Sequence, residues 1–340
     1  MTLEMTPAHR SAGEVLSWSR AMIEPALRAA VHRLPKAMLR LAGYHFGWWD
    51  RDGNSCQAPA GKAIRPALTL LCAQAVGGSP ADAVGAAVAV ELVHNFSLVH
   101  DDIMDGDEFR RHRPTMWHAF GVNQALLGGD AMLVAAFQAL SAPAAAVEVL
   151  TRCVSELCEG QHADLSFEHR SDVDVDDYLA MTRGKTGSLM AASCELGALL
   201  GGAPRPAQDS LRRFGSHLGL AFQLVDDLLG IWGDAAVTGK PAGADLVRRK
   251  QSYPVVNALR SPVPAAAELA ELYALPGEFV PEQVNRAALL VERAGGRAAT
   301  QRHAQEQLSV ALAALDEIDP SPRAKAELLA LADLVTRRNS

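Results

Sequence analysis

The chain has 340 residues, of which 49% are hydrophobic, so it is long and apolar enough to bury a large core. Aromatic residues make up only 5%, alanine and leucine are abundant, and β-branched residues seldom alternate, which together favour an all-α protein. The formal net charge of -7 excludes a general nucleic-acid-binding protein, because such a protein carries a basic surface.

Helical spacing of apolar residues extends over most of the chain. It predicts helices at residues 12–42, 66–75, 81–105, 116–140, 144–162 and 214–232, and a helical, alanine-rich region beyond residue 254. Residues 44–59 are predicted to form a loop whose aromatic side chains serve packing. Residues 1–12 are expected to fray, and the chain as a whole, residues 1–340, is expected to form a single domain.

The cysteines and the first residues predict a cytoplasmic protein. The five cysteines form no CxxC pair and their number is odd, as expected for free thiols in a reducing compartment. The first ten residues lack the apolar segment of a signal peptide. No uncharged apolar run reaches membrane-spanning length, so we expect no transmembrane segment.

The most informative stretch is an apolar helix that ends in a run of acidic side chains. Asp101, Asp102 and Asp105 fall within five positions, and at about 100° per residue Asp101 and Asp105 share one helix face. Clustered carboxylates repel one another unless a cation lies between them, and Mg²⁺ binds such oxygens together with phosphate groups. Arg110 and Arg111 follow, which suits a phosphorylated ligand held by both metal and guanidinium groups. The alternative is a solvated acidic helix face.

A second acidic pair, Asp226 and Asp227, lies near the end of another helical segment. The sequence also contains a basic segment, GKAIRP, at residues 61–66, and a Lys-Thr pair at residues 185–186. With DDIMD as the first acidic motif and DDLLG as the second, the chain resembles the trans-isoprenyl diphosphate synthase family, the head-to-tail prenyltransferases. These motifs occur in the family's order and span residues 61–254.

The resemblance implies an all-α isoprenoid synthase bundle around a deep central cavity. It implies a homodimeric enzyme that joins isopentenyl diphosphate to an allylic diphosphate and uses Mg²⁺, three ions with substrate bound. The metal ligands that it implies are Asp101, Asp105, Asp226 and Asp227. The catalytic residues that it implies are Asp101, Asp102, Asp105, Asp226, Lys185, Thr186 and Gln223.

The resemblance also implies two diphosphate pockets. The pocket for isopentenyl diphosphate would contain Lys62, Arg65, His94 and Arg111. The pocket for the allylic diphosphate would contain Arg110, Lys185 and Lys240. Thr186 and Gln223 would lie near the reacting carbons, where their oxygens can stabilise developing positive charge.

Two positions depart from the family's pattern. Ala63 stands where the family usually has another arginine, which removes one cation from the first pocket. Gly230 stands at the fifth position of the second acidic motif, where the family has aspartate. We expect Gly230 to be tolerated and Gly230→Asp to be mild, because that substitution restores a ligand. Asp245 is expected to organise the loop that carries Lys240, and Asp164 to line the cavity.

Product length in this family depends on bulky residues four and five positions before the first acidic motif, here Ser97 and Phe96. One aromatic beside a small residue resembles members that stop at geranylgeranyl diphosphate (C20), with farnesyl diphosphate (C15) as the alternative. On an ideal helical wheel Phe96 lies about 140° from Asp101. Phe96 can therefore close the cavity only if the helix bends or its ring swings inward; otherwise it is a packing residue.

Three rival functions remain open at the level of sequence. A terpene cyclase shares the fold and the acidic motifs but needs no second diphosphate pocket. A non-catalytic subunit of a heteromeric synthase should lack the first acidic motif, which this chain retains. A calcium-binding scaffold would not need the cations at Lys185, Lys240 and the arginines.

Overall fold

The computed structural model describes residues 9–56, 58, 61–140, 143–234 and 242–336. The helices that precede the β-hairpin are α1 (Ala12–His32), α2 (Lys36–His45), α3 (Ile64–Ala75) and α4 (Val84–Met104). The hairpin pairs β1 (Phe109–Arg110) with β2 (Arg113–Pro114). The remaining helices are α5 (Met116–Phe120), α6 (Val122–Ala139), α7 (Ala144–Phe167), α8 (Val175–Thr182), α9 (Ser188–Leu200), α10 (Arg205–Trp232), α11 (Ala244–Val247), α12 (Tyr253–Leu259), α13 (Pro264–Tyr273), α14 (Pro281–Arg293), α15 (Gly296–Asp316) and α16 (Pro322–Thr336). The predicted all-α fold is confirmed.

The chain folds into two compact units, each assembled from segments that are distant in sequence. The first unit comprises the described residues of Met1–Val154, Ala192–Arg212 and Leu315–Leu331. The second comprises those of Ser155–Ala191, Arg213–Ala314 and Ala332–Ser340. The first acidic motif therefore belongs to the first unit and the second motif to the second unit. That residues 1–340 form a single domain stays a prediction.

Helix α4 is the core helix of the first unit, where it packs against α1, α3 and α6. The stretch Pro80–Met104, a 3₁₀ turn followed by α4, is long and apolar enough to cross a membrane, with a mean hydropathy of 1.3. However, 67% of its apolar window is buried inside the protein, as in a core helix. The buried part of α4 thus fixes the position of the acidic residues at its end.

The beginning of the described chain is held in place. Ser11 caps α1 through a capping box with Glu14, and these reciprocal hydrogen bonds satisfy amides that the first helical turn leaves unpaired. Arg10 donates to the buried carboxylate of Glu327 from its Nε at 2.9 Å. The expected fraying of residues 1–12 therefore does not extend to Arg10, while residues 1–8 lie outside the described residues.

Two clusters of buried apolar side chains are seen among the described residues of the second unit. One cluster includes Leu224 of α10 with Tyr178 and Tyr253, and the other includes Ile231 of α10 with Leu246 of α11. Leu224 is fully buried and Ile231 is 3% exposed. Because these two residues flank the second acidic pair, they fix the rotation of α10 about its axis at that pair.

Candidate active site

The first acidic motif occupies the last turn of α4. The backbone N–H of Asp105, the C-cap residue, donates to the carbonyl oxygen of Asp101 at 2.8 Å, so these residues lie one turn apart. Asp101 is half-buried and Asp105 is exposed, whereas Asp102 is 1% exposed. The two acids predicted as metal ligands therefore reach the surface, while the acid between them points into the protein.

The carboxylate of Asp102 fixes the position of the Arg110 side chain. Arg110 Nε donates to Asp102 Oδ1 at 2.7 Å, which joins the end of α4 to the hairpin. Burial raises the pKa of Asp102 to about 6, and the attraction of Arg110 only partly offsets this effect. The other oxygen, Oδ2, is buried and has no hydrogen-bond partner. Asp102 thus positions a cation predicted for the allylic diphosphate and keeps one carboxylate oxygen available.

The hairpin lies between the predicted helices at residues 81–105 and 116–140 and was not predicted from the sequence. Arg110 pairs with Arg113, and the two residues between them form the turn. Arg111 and His112 have φ values of 52° and 62°, the left-handed conformation that two-residue hairpin turns of the I′ type require. Glycine adopts this conformation without a steric penalty, so a turn with Arg111 and His112 at these positions carries backbone strain.

Three of the residues predicted for isopentenyl diphosphate come together in the first unit. The pKa of His94 lies well below its usual value because the ring is buried and because Arg65 and Arg111 repel an added proton. Gly61 allows close approach here, since a Cβ on it would lie 2.6 Å from Arg111 Nη2. Lys62 is exposed and precedes α3, which begins at Ile64, so it does not share a helical turn with Arg65. The cluster therefore contains two guanidinium groups and a neutral imidazole.

A buried polar network lies beside this cluster and was not predicted. Asn95 donates to Glu91 Oε1 at 3.1 Å, and His45 Nε2 lies 3.0 Å from Asn95 Oδ1. Burial raises the pKa of Glu91, while the attraction of Arg65 lowers it. The sequence signal was available, because Glu91 is a single acid inside an otherwise apolar helical run. Glu91 places a carboxyl group close to the arginines.

In the second acidic pair, as in the first, one aspartate reaches the surface and the other is buried. Asp226 is exposed, whereas Asp227 is 1% exposed. Asp227 Oδ2 accepts from Tyr178 Oη at 2.5 Å and from the Tyr253 backbone N–H at 2.8 Å. Burial raises the pKa of Asp227 to about 6, against the attraction of Lys250. Asp227 thus holds three helices together, and Asp226 is the acid that faces outward.

The predicted catalytic pair of Thr186 and Gln223 is connected to this buried aspartate. Thr186 Oγ1 donates to Gln223 Oε1 at 3.0 Å, and Gln223 Nε2 donates to Asp227 Oδ1 at 3.1 Å. Thr186 lies in a π-helical turn, Arg183–Gly187, between α8 and α9, and such turns occur often at functional sites. This chain of hydrogen bonds fixes the orientation of both polar side chains.

Lys185 lies in the same π-helical turn. Its Nζ lies 2.5 Å from Asp164 Oδ2, and both side chains are half-buried. This pair joins α7 to the turn, and the role of Asp164 in lining the cavity stays a prediction. Lys240, predicted for the same pocket, lies outside the described residues.

Lys250 is a further candidate site residue, which the sequence did not indicate. Burial alone would lower its pKa, but the carboxylates of Asp227, Asp245, Asp164 and Asp226 together raise it. In sequence it is the third residue of a basic run, RRK, which is typical of a solvated surface. Its carboxylate neighbours come from three separate segments, so only the fold reveals them.

The residues predicted to set product length lie on α4. Phe96 is 7% exposed and packs edge-on against His100, with ring centroids 4.7 Å apart. His100 Nε2 lies 3.2 Å from the carbonyl oxygen of Leu126 on α6. Ser97 Oγ donates to the carbonyl oxygen of His94 at 2.9 Å. The Phe96 ring therefore contacts a residue on the side of α4 that faces α6.

The acidic residues suit a hard divalent cation in their chemistry. All four predicted ligands offer carboxylate oxygens, the donors that Mg²⁺ prefers. Among the described residues, no group of three or more His, Cys, Asp or Glu side chains could hold an ion without further ligands. This arrangement fits a metal held by one or two carboxylates whose remaining ligands are waters and substrate phosphate oxygens.

Comparison with known proteins identifies the class of enzyme. The family model polyprenyl synthetase matches residues 51–289. The chain is 45% identical over 330 residues to a geranylgeranyl diphosphate synthase of Mycobacterium tuberculosis, covering 95% of this chain and 93% of the relative. It is 44% identical over 334 residues to a (2E,6E)-farnesyl diphosphate synthase of the same species, covering 96% of this chain and 93% of that relative.

Solved structures agree with these relatives. A polyprenyl synthetase from Streptomyces coelicolor A3(2) superposes with a TM-score of 0.90 and 46% identity, covering 94% of this chain and 98% of that one. A polyprenyl synthase from Caulobacter crescentus CB15, complexed with calcium and isoprenyl diphosphate, superposes with a TM-score of 0.84 and 28% identity. The match covers 98% of this chain and 100% of that one. The class is that of prenyl diphosphate synthases of the short-chain type. The chain belongs to the polyprenyl synthetase family, as its motifs predicted.

Proposed function

We propose that the protein condenses isopentenyl diphosphate with an allylic diphosphate and releases geranylgeranyl diphosphate. The observation that carries this proposal is the cationic cluster of Arg65, His94 and Arg111. Lys185, which belongs to the second unit and pairs with Asp164, lies outside this cluster, so the chain offers cations to more than one diphosphate. A terpene cyclase needs only one such group.

Isopentenyl diphosphate is held by Lys62, Arg65 and Arg111 through charge-assisted hydrogen bonds. His94 adds a hydrogen bond and no charge, since its ring is neutral at pH 7. Glu91 offsets part of the positive charge of the arginines before the substrate binds. This balance lowers the cost of keeping two guanidinium groups close together, at the expense of some attraction for diphosphate.

The allylic diphosphate is held by Arg110, Lys185 and Lys240. Two of these cations already have carboxylate partners, Asp102 for Arg110 and Asp164 for Lys185, which hold them in defined positions. The metal ligands are Asp101, Asp105 and Asp226, with Asp227 supporting Asp226 from inside the protein. Mg²⁺, three ions with substrate bound, supplies positive charge that stabilises the departing diphosphate.

The reaction exchanges one carbon–oxygen bond for one carbon–carbon bond. The allylic C–O bond breaks and its electron pair leaves with the diphosphate, which the cations stabilise. The double bond of isopentenyl diphosphate then attacks the allylic carbon, and loss of a proton forms the trans double bond. Released diphosphate is the acceptor for that proton. Thr186 and Gln223, fixed by their hydrogen bonds to each other and to Asp227, stabilise the positive charge with their oxygens.

The C20 product is supported by the pair Phe96 and Ser97 and by the geranylgeranyl diphosphate synthase among the relatives. Farnesyl diphosphate is the second candidate, because a relative of nearly equal identity is a farnesyl diphosphate synthase. We further propose a cytoplasmic homodimer. Exposed apolar side chains on α6 support that assembly, since Val122, Leu127 and Val134 are 44%, 52% and 55% exposed.

Incubation with Mg²⁺, isopentenyl diphosphate and each allylic diphosphate in turn, followed by chain-length analysis, tests this function. We expect C20 as the main product from C5, C10 and C15 primers. A parallel reaction without isopentenyl diphosphate is the control for cyclisation. A cyclic hydrocarbon released in that control, or no elongation with any primer, would refute the proposal.

A further inference from the structure

A carboxylate fills the space beside Gly230. Gly230 lies on α10 one turn beyond Asp226, so the two positions share a helix face. An ideal Cβ on Gly230 would lie 2.5 Å from Cγ and 3.1 Å from Oδ1 of Asp245. At such separations the two groups would overlap. The Asp245 carboxyl group therefore already occupies the volume in which a side chain at position 230 would begin.

The position of Asp245 is fixed by the short helix α11. Gly243 precedes this helix with φ of 78°, a left-handed conformation that favours glycine. Leu246 follows Asp245 and is fully buried in the apolar cluster that also contains Ile231 of α10. The Lys250 backbone N–H donates to the carbonyl oxygen of Asp245 at 2.9 Å. The packing of α11 against the core thus holds Asp245 beside α10.

Asp245 also belongs to the same group of charges as the second acidic motif. Lys250 is attracted by Asp245 and by Asp226 and Asp227. A negative charge at Asp245 also raises the pKa of Asp227, in addition to the larger effect of burial. The carboxylate beside Gly230 therefore acts on Asp227 and shares Lys250 as a neighbour with Asp226.

We propose that Asp245 supplies the carboxylate that the second acidic motif lacks at Gly230, and that it helps Asp226 to hold a divalent cation. This proposal rests on the proposed function, in which Asp226 is a metal ligand. Gly230 is then required, because a larger residue would displace the Asp245 carboxylate. On this proposal Gly230→Asp is not mild, since that substitution adds a second like charge where the first already lies.

Titration calorimetry of the whole protein with Mn²⁺ in the presence of inorganic diphosphate tests this role without relying on turnover. Asp245→Asn keeps the size of the side chain and removes its charge. We expect it to weaken Mn²⁺ binding roughly ten-fold or more, with an unchanged Tm in the absence of metal. Asp176→Asn, which neutralises an exposed acid on α8, is the matched control and should bind like the wild type.

A second pair of variants exchanges the two positions. Gly230→Asp alone should bind Mn²⁺ more weakly and have a lower Tm, because Asp245 must move. Adding Asp245→Ala to Gly230→Asp vacates the space, and we expect it to restore binding to within about three-fold of the wild type. Two results would overturn the role of Asp245 but not the proposed function: Mn²⁺ binding by Asp245→Asn equal to that of the wild type, or Mn²⁺ binding by the double variant no tighter than that of Gly230→Asp. Absence of diphosphate-dependent Mn²⁺ binding in the wild type would overturn the proposed function as well.

Discussion

Replacement of Arg65 by alanine should raise the KM for isopentenyl diphosphate and leave the allylic half of the reaction intact. Arg65 lies in the first turn of α3, half-buried, and its charge is felt by both His94 and Glu91. Its Nε is buried without a hydrogen-bond partner, which leaves a donor of the guanidinium group available to a ligand. Slow ionisation of the allylic substrate alone should survive, because the proposed function assigns that diphosphate to Lys185 and Arg110.

The magnitude follows from one lost charge-assisted contact. Such a contact contributes about 1.5–3 kcal/mol, so the KM should rise roughly ten-fold to 150-fold, with kcat at saturating substrate little changed. Arg65→Ala should also lower the stability of the protein. Burial already raises the pKa of Glu91, and Arg65 is the largest influence that lowers it. Without Arg65 this buried carboxylate is less well compensated, which should lower the free energy of unfolding by roughly 1–3 kcal/mol.

The double variant Arg65→Ala with Glu91→Gln separates these two effects. Removing the buried charge should recover most of the lost stability in urea unfolding, whereas the KM for isopentenyl diphosphate should stay high. Steady-state kinetics with each substrate varied in turn measure the two pockets independently. Equal loss of both partial reactions, or recovery of the KM together with the stability, would refute the two-pocket assignment.

Asp101→Ala and Asp226→Ala should each abolish Mg²⁺-dependent turnover with little change in Tm, because both side chains reach the surface; near-normal turnover in either variant would reject that residue as a ligand. Burial lowers the pKa of His45 to about 3, so the unfolded chain takes up a proton that the folded protein does not. Stability should therefore fall as the pH drops below 6.5, by about 2 kcal/mol between pH 7.5 and pH 5, and urea unfolding should show a smaller loss in His45→Gln. Phe96→Ala should lengthen the products by at least one isoprene unit, whereas the control Val99→Ala, also buried on α4, should lower Tm without changing product length. Unchanged products from Phe96→Ala would place the cavity floor elsewhere.

Composition and apolar spacing were sufficient for the fold class and for the helix that ends in Asp101 and Asp105. The same spacing predicted continuous helices where the structure has breaks, at Pro35 between α1 and α2 and at Gly121 between α5 and α6. Pro25 lies inside α1 and does not end it, because the tertiary packing of that helix outweighs one lost backbone hydrogen bond. Gly121, with φ of 89°, separates α5 from α6 where a single helix was predicted. Local propensity is a weak guide at such points, since packing decides whether a helix continues.

The sequence could not predict which aspartate of each acidic pair is buried. Asp101 and Asp102 are neighbours of the same residue type, and so are Asp226 and Asp227, yet one member of each pair is buried and the other is not. The direction of burial depends on residues far away in the chain, such as Tyr178 and Tyr253, which contact Asp227.

The same limit explains why Asp245 was taken for a loop residue. In sequence the missing carboxylate of the second motif and the acid that fills its place are separated by fifteen positions, and no periodicity relates them. Only the packing of Leu246 into the core of the second unit brings Asp245 beside Gly230. A motif that looks incomplete along the chain can therefore be complete in space. A substitution that repairs the motif in sequence, Gly230→Asp, is then the one that the structure disfavours.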